Sequence, residues 1–184
     1  MYIYQTEEYI SKSGNKFKVE LSYDECCGEP WKENDGHGSV SEWTNRDKKP
    51  GELILCQDRD MKRYYDFKGA VATARVYGLG CSDCLPSDTP GQKAHKAAMH
   101  DYNYLRDYCR QEWWYSIVRV VLLNDDDEEI EGREEYLGGV ECGYGKYDNY
   151  YMGVVQELAD EIEYAINAKN EQRHTTRCAP CLVC

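Results

Sequence analysis

With 184 residues, 22 Lys and Arg against 34 Asp and Glu, and a formal charge of −12, the chain is long enough to bury a core without covalent staples, and its charge disfavours direct binding to a nucleic-acid backbone. The longest apolar-leaning stretch, Ile117 to Leu123, contains Arg119 and falls far short of the roughly 20 residues of a membrane-spanning helix, so no membrane role is expected. Glu7 and Glu8 interrupt the basic-then-apolar pattern of a secretory signal; a cytoplasmic chain is expected, its ten cysteines free thiols or metal ligands.

In chain order, Phe17, Val19 and Leu21 alternate with polar residues and predict a half-buried strand over residues 15–23. Cys26 to Pro50 is rich in Gly, Asp, Asn and Glu, with Trp31 and Trp43 as isolated anchors, and reads as a long loop or meander with a short strand at Ser39 to Trp43. Glu52 to Gln57 predicts a buried strand. Asp66 can cap a helix carrying Ala70, Val71, Ala74 and Tyr77 on one face, stopped by Gly78 and Gly80. After a turn-rich linker at 81–90, Ala94, Ala98, Leu105, Tyr108 and Cys109 stripe a second helix, and Trp113 to Leu123 reads as a strand.

Glu135 to Cys142 predicts a hairpin partner, with Gly138 and Gly139 as a bulge or close-approach point. Tyr151, Val154, Val155, Leu158, Ile162, Ala165 and Ile166 define the clearest amphipathic helix, with Asp148 or Asn149 as cap. The order predicts an α+β fold, an antiparallel or mixed sheet with helices packed on one face, as one domain over 1–169 followed by a polar, Cys-containing tail over 170–184.

Charge is concentrated. Residues 112–163 hold 15 acidic and 3 basic residues, which accounts for the whole net charge and leaves the rest of the chain neutral. The block Asp125, Asp126, Asp127, Glu128, Glu129 and Glu131 reads as a solvated hairpin loop or, joined to Glu157, Asp160 and Glu161 on the last helix, as a surface imitating a phosphate backbone for a basic groove. It is not an EF-hand loop, because counting from Asp125 puts Ile130 where that loop needs Gly.

Two CxxC elements, Cys81/Cys84 and Cys178/Cys181, form a candidate zinc set, against which stands their long separation. Asp35-Gly36-His37-Gly38 is the most reactive-looking tetrapeptide, readable as a metal-dependent centre or as a tight turn with a surface histidine. Arg59, Lys62 and Arg63 beside Tyr64, Tyr65 and Phe67 read as a nucleic-acid stacking platform or as packing against the sheet. No P-loop, GxGxxG, GxSxG or HExxH motif occurs.

The segments GEPWKENDGHGSVSEW and PGELILCQDRDMKRYYDF resemble a pattern in an uncharacterised family of phage and prophage accessory proteins, and the similarity continues to the ELADEI helix, over most of residues 24 to 166. The resemblance implies an accessory protein acting in the cytoplasm of an infected bacterium and implies no mechanism. Acidic proteins of that class include inhibitors of restriction and CRISPR nucleases. The expectation is therefore a non-enzymatic inhibitor binding a basic surface of a host nucleic-acid-acting complex without touching nucleic acid itself. Two alternatives stand beside it: a small metal-dependent enzyme centred on Asp35 and His37, and a structural protein of a virion or oligomer, suggested by 17 tyrosines.

Overall fold

A computed structural model describes residues 2–34, 36–145 and 150–177, with side chains to Lys169. The protein is α+β, and its sheets are antiparallel. The elements run β1 (Ile3–Ile10), β2 (Lys16–Tyr23), α1 (Pro30–Glu33), β3 (Leu53–Asp58), β4 (Met61–Tyr65), α2 (Phe67–Tyr77), α3 (Pro90–Cys109), β5 (Trp113–Leu123), β6 (Glu129–Gly143) and α4 (Tyr150–Arg177). The chain divides into two compact units, one formed by residues 1–25 and 114–184, the other by 26–113, a partition that the sequence reading does not draw.

Unit 1 is a four-stranded sheet in the order β1-β2-β5-β6. β2 and β5 pair with Phe17 opposite Leu122 and Leu21 opposite Val118, so the alternating apolar residues of both strands share one face. On that face Phe17, Val19, Leu21, Val118, Val120 and Leu122 meet Tyr151, Val154, Val155, Leu158, Ala159 and Ile162 of α4 in one buried cluster. A helical period of 3.6 laid against a strand period of 2 leaves the intervening residues, Lys18, Glu20 and Arg119 among them, for the opposite face.

β6 breaks the strand period twice. Ile130 packs on the α4 cluster, Glu134 and Tyr136 reach Arg119 on the other face, and Val140 and Cys142 return to the cluster, although all five are even-numbered. Gly132 and Gly139, with φ of 70° and 69°, stand at the two changes of phase. At the second, Asp24 closes in: its Oδ2 accepts from the Gly139 amide at 2.9 Å and lies 2.8 Å from where a Cβ on Gly138 would sit. The close approach expected at Gly138 and Gly139 is thus present.

In unit 2 the β3-β4 hairpin is extended by single bridges from Val40 to Tyr65 and from Thr44 to Lys62. Leu55, Tyr65 and Leu105 form its core, with Trp31, Phe67 and Tyr102 against it. Asp66 caps α2 through the Gly69 amide, and Thr89 with Gln92 closes a capping box on α3. Trp113 is fully buried and donates its indole N–H to the Tyr104 carbonyl at 3.0 Å.

Several expectations are corrected. Tyr77 is 75% exposed and does not belong to a buried face of α2. α4 continues to Arg177, so residues 170–177 are helical where the sequence suggests a tail. Tyr64 and Tyr65 are buried at 1% and 0% exposure, which leaves no stacking platform there for nucleic acid. Asp35, Asp148, Asn149, Cys178 and Cys181 lie outside the described residues. No helix among the described residues is long and apolar enough to cross a membrane.

Candidate functional site

The acidic turn is a tight hairpin. Asn124 organises it, its Oδ1 accepting from the amides of Asp126 at 3.0 Å and Glu128 at 2.8 Å, while Asp127 takes the left-handed conformation at φ 62°. The turn lies at the same end of the sheet as the β1-β2 turn, because Lys16 reaches Asp127 at 2.7 Å. Ser11, Ser13 and Asn15 in that second turn all donate to Glu163 of α4, at 2.5, 2.6 and 2.9 Å. Burial opposes ionisation of Glu163, but these three donors outweigh it and hold its carboxyl below the usual range. One end of unit 1 therefore brings the acidic turn and the turn of α4 around Glu163 to the same side of the sheet's edge loops.

The nine candidate carboxylates separate into two groups. Asp127 is paired with Lys16, and Glu129 with both Lys18 at 2.6 Å and Arg119 at 2.7 Å. Arg119 also holds Glu20 at 2.8 Å and Glu134, and accommodates the Tyr136 hydroxyl against its Nε at 3.0 Å. The guanidinium first and Lys18 second pull the Glu129 carboxyl down to about 2. These side chains offset one another's charge, although Asp127 and Glu129 stay exposed at 63% and 38%. Asp125, Asp126, Glu128, Glu131, Glu157, Asp160 and Glu161 are exposed and form no ion pair among the described residues.

The second arrangement is in unit 2. His37 is not a surface residue of a turn: its Nδ1 lies 2.5 Å from Asp101 Oδ1, its side chain is only 17% exposed, and its ring stacks on Tyr104 at 5.5 Å. Asp101 Oδ2 accepts from the Gly38 amide at 2.8 Å and from the Tyr65 hydroxyl at 2.6 Å. Burial works against the ionised carboxylate, yet the bonds from His37, Gly38 and Tyr65 keep its pKa below the usual value; burial and Asp101 together push the Tyr65 phenol up.

The glycines beside His37 are explained by this packing. Gly36 has φ 108°, and a Cβ on Gly38 would fall 2.5 Å from the Tyr65 Oη and 2.6 Å from its ring carbons. His37, Tyr65 and Asp101 border a cleft of about 340 Å³ with Ser39, Thr73 and the small side chains of α2 and α3. Asp101 is the residue that sequence reasoning misses, since a lone Asp on a helix 64 residues from its histidine carries no local signal.

Comparison with family models, with curated proteins and with solved structures gives no match. The chemistry of the two arrangements therefore has to be argued from their own geometry.

As for metal, Cys81 and Cys84 do form a turn, with the Cys84 amide on the Cys81 carbonyl at 3.0 Å and the two sulfurs 3.6 Å apart. Burial raises the Cys81 thiol, as does the neighbouring Cys84 sulfur. No group of three or more His, Cys, Asp or Glu placed to hold a metal ion occurs among the described residues, and the other half of the zinc set, Cys178 and Cys181, falls outside them. The histidine site likewise has Asp101 on Nδ1 and is an orienting pair, with no third ligand beside it among the described residues.

Proposed function

We propose that the protein is a non-enzymatic acidic binding protein that occupies a cationic, nucleic-acid-binding surface of a host complex, in the manner of a phage inhibitor of restriction or CRISPR nucleases. The observation that carries this reading is the set of seven exposed carboxylates that form no ion pair among the described residues, Asp125, Asp126 and Glu128 on the turn, Glu131 on β6, and Glu157, Asp160 and Glu161 on α4. Unlike Asp127 and Glu129, they retain their full charge toward solvent, where a complementary field accelerates encounter and fixes register. The Glu163 anchor supports the same reading, since it ties α4 to the end of the sheet where the acidic turn projects.

The test uses the intact protein as bait in a bacterial lysate, with duplex DNA as competitor. A variant carrying Asp125→Asn, Asp126→Asn, Glu128→Gln, Glu157→Gln and Asp160→Asn is expected to lose about tenfold in capture at low salt and to lose its salt dependence, while DNA displaces the partner from the unaltered protein. Capture that is equal for both proteins, or indifferent to DNA, overturns the reading.

A further inference from the structure

The cleft in unit 2 plays no part in the acidic surface, and its lining states what it would hold. At about 340 Å³ it sits at the lower end of small-molecule pockets, room for one ring and its substituents. Its walls are the small faces of two helices, Ala70 and Ala74 from α2 and Ala97 and Ala98 from α3. Such walls admit a flat apolar body without side-chain rearrangement. Its ionisable side chains among the described residues are Asp66, Asp101 and His37, and no described Lys or Arg lines it.

The start of α2 does not offer an anion site either. The Gly69 amide that would face one is already occupied by the Asp66 carboxylate at 2.9 Å. Phosphates and carboxylates are therefore disfavoured. A neutral or positively charged group is not.

The polar end is defined by His37. In the tautomer whose Nδ1–H donates to Asp101, the imidazole keeps Nε2 as an acceptor. Tyr65 and the Gly38 amide are already engaged on the other carboxylate oxygen, so Asp101 is a positioning residue that fixes the imidazole. We propose that this cleft is a binding site for a small, flat, neutral or cationic molecule with an N–H donor, which His37 Nε2 accepts while the alanine faces of α2 and α3 hold its apolar side.

Benzamidine, benzamide and benzoate make a matched series, with the same ring and nearly the same size but cationic, neutral and anionic ends. Titrated into the ¹⁵N-labelled full chain, benzamidine and benzamide are expected to shift the Gly36, Gly38 and Thr73 amides saturably in the millimolar range that about nine non-hydrogen atoms allow. Benzoate is expected to bind at least about tenfold more weakly, since the site offers it two carboxylates and no cation. His37→Asn keeps a donor for Asp101 but has no acceptor at the position of Nε2, its Oδ1 ending short of it, and should weaken benzamidine about tenfold. Thr73→Phe, at an exposed position on the cleft wall, should abolish the shifts with the fold intact. Absence of saturable shifts with benzamidine, equal binding of benzoate, or insensitivity to both substitutions in folded protein overturns the proposal.

Discussion

Replacing Arg119 by Met keeps the length of the side chain and deletes the cation that joins Glu20, Glu129 and Glu134. The Arg119 and Glu20 side chains are 15% and 9% exposed, so a nearly buried carboxylate loses a partner; because Lys18 still holds Glu20 at 2.5 Å, the loss is about 2 kcal/mol and not the 3 to 5 of a fully orphaned charge. Taken at face value, a Glu129 carboxyl at about 2 would add roughly 3 kcal/mol, but its side chain is 38% exposed and solvent screening reduces that to ~1 or less. Arg119→Met should therefore destabilise unit 1 by about 2 to 3 kcal/mol at pH 7.

The pH dependence follows from the direction of the shifts. Glu20 and Glu129 are both depressed in the folded protein, so their contribution is present above the unfolded carboxyl pKa and is lost as pH falls toward about 2. The difference between variant and parent should accordingly shrink by about half or more between pH 7 and pH 3. Urea unfolding followed through the Val118 and Val120 amide resonances reports on β5 of unit 1 alone, and both proteins can be compared at each pH. A difference below about 0.5 kcal/mol at pH 7, or one that is the same at pH 3, would refute the account of this network.

Gly38→Ala forces a methyl into the ring of a fully buried Tyr65 and should cost unit 2 about 2 to 3 kcal/mol, seen as an earlier urea midpoint for Leu55 and Leu105 resonances. Arg63, 5% exposed, lies over Trp31 at 5.2 Å and Trp43 at 5.0 Å and is paired with Glu29; Arg63→Met should cost about 2 to 4 kcal/mol and change the intrinsic tryptophan fluorescence, whereas Arg59→Met on the adjoining turn should leave both unchanged.

Much of the fold is legible in the sequence where periodicity is strong. β2, β5, α3 and α4 follow from alternation or from a 3.6-residue stripe, and the paired glycines 138 and 139 announce the approach of Asp24. β1 escapes notice because it is an edge strand whose Glu7 and Glu8 face solvent or polar partners, so no apolar alternation marks it. β4 is obscured by its mixture of basic and aromatic residues, which resembles a binding patch until Arg63, Tyr64 and Tyr65 are seen to be buried. Of the two boundaries between units, the one at Cys26 coincides with the start of the Gly-, Asp- and Asn-rich stretch, whereas the other carries no compositional signal, since it falls between the adjacent tryptophans Trp113 and Trp114.

For the acidic surface, composition reveals the number of carboxylates but not their neutralisation. Lys16 and Lys18 become partners of Asp127 and Glu129 only through the pairing of β2 with β5, a register that no local pattern encodes. His37 stands out between its glycines, whereas Asp101 becomes meaningful only when α3 is brought beside that loop.

The pairing of β2 with β5 also bears on how the chain folds. Asp24 donates its amide to the Tyr115 carbonyl at 3.0 Å, so the whole of residues 26–113 leaves and re-enters the sheet through one narrow gate. Closing so long a span as slack polymer costs about 3 kcal/mol more than closing a four-residue turn. Structure formed first within the intervening segment shortens the slack chain and lowers that cost. Synthesis from the N-terminus then leaves the β1-β2 hairpin waiting for β5 until the whole inserted unit has been made.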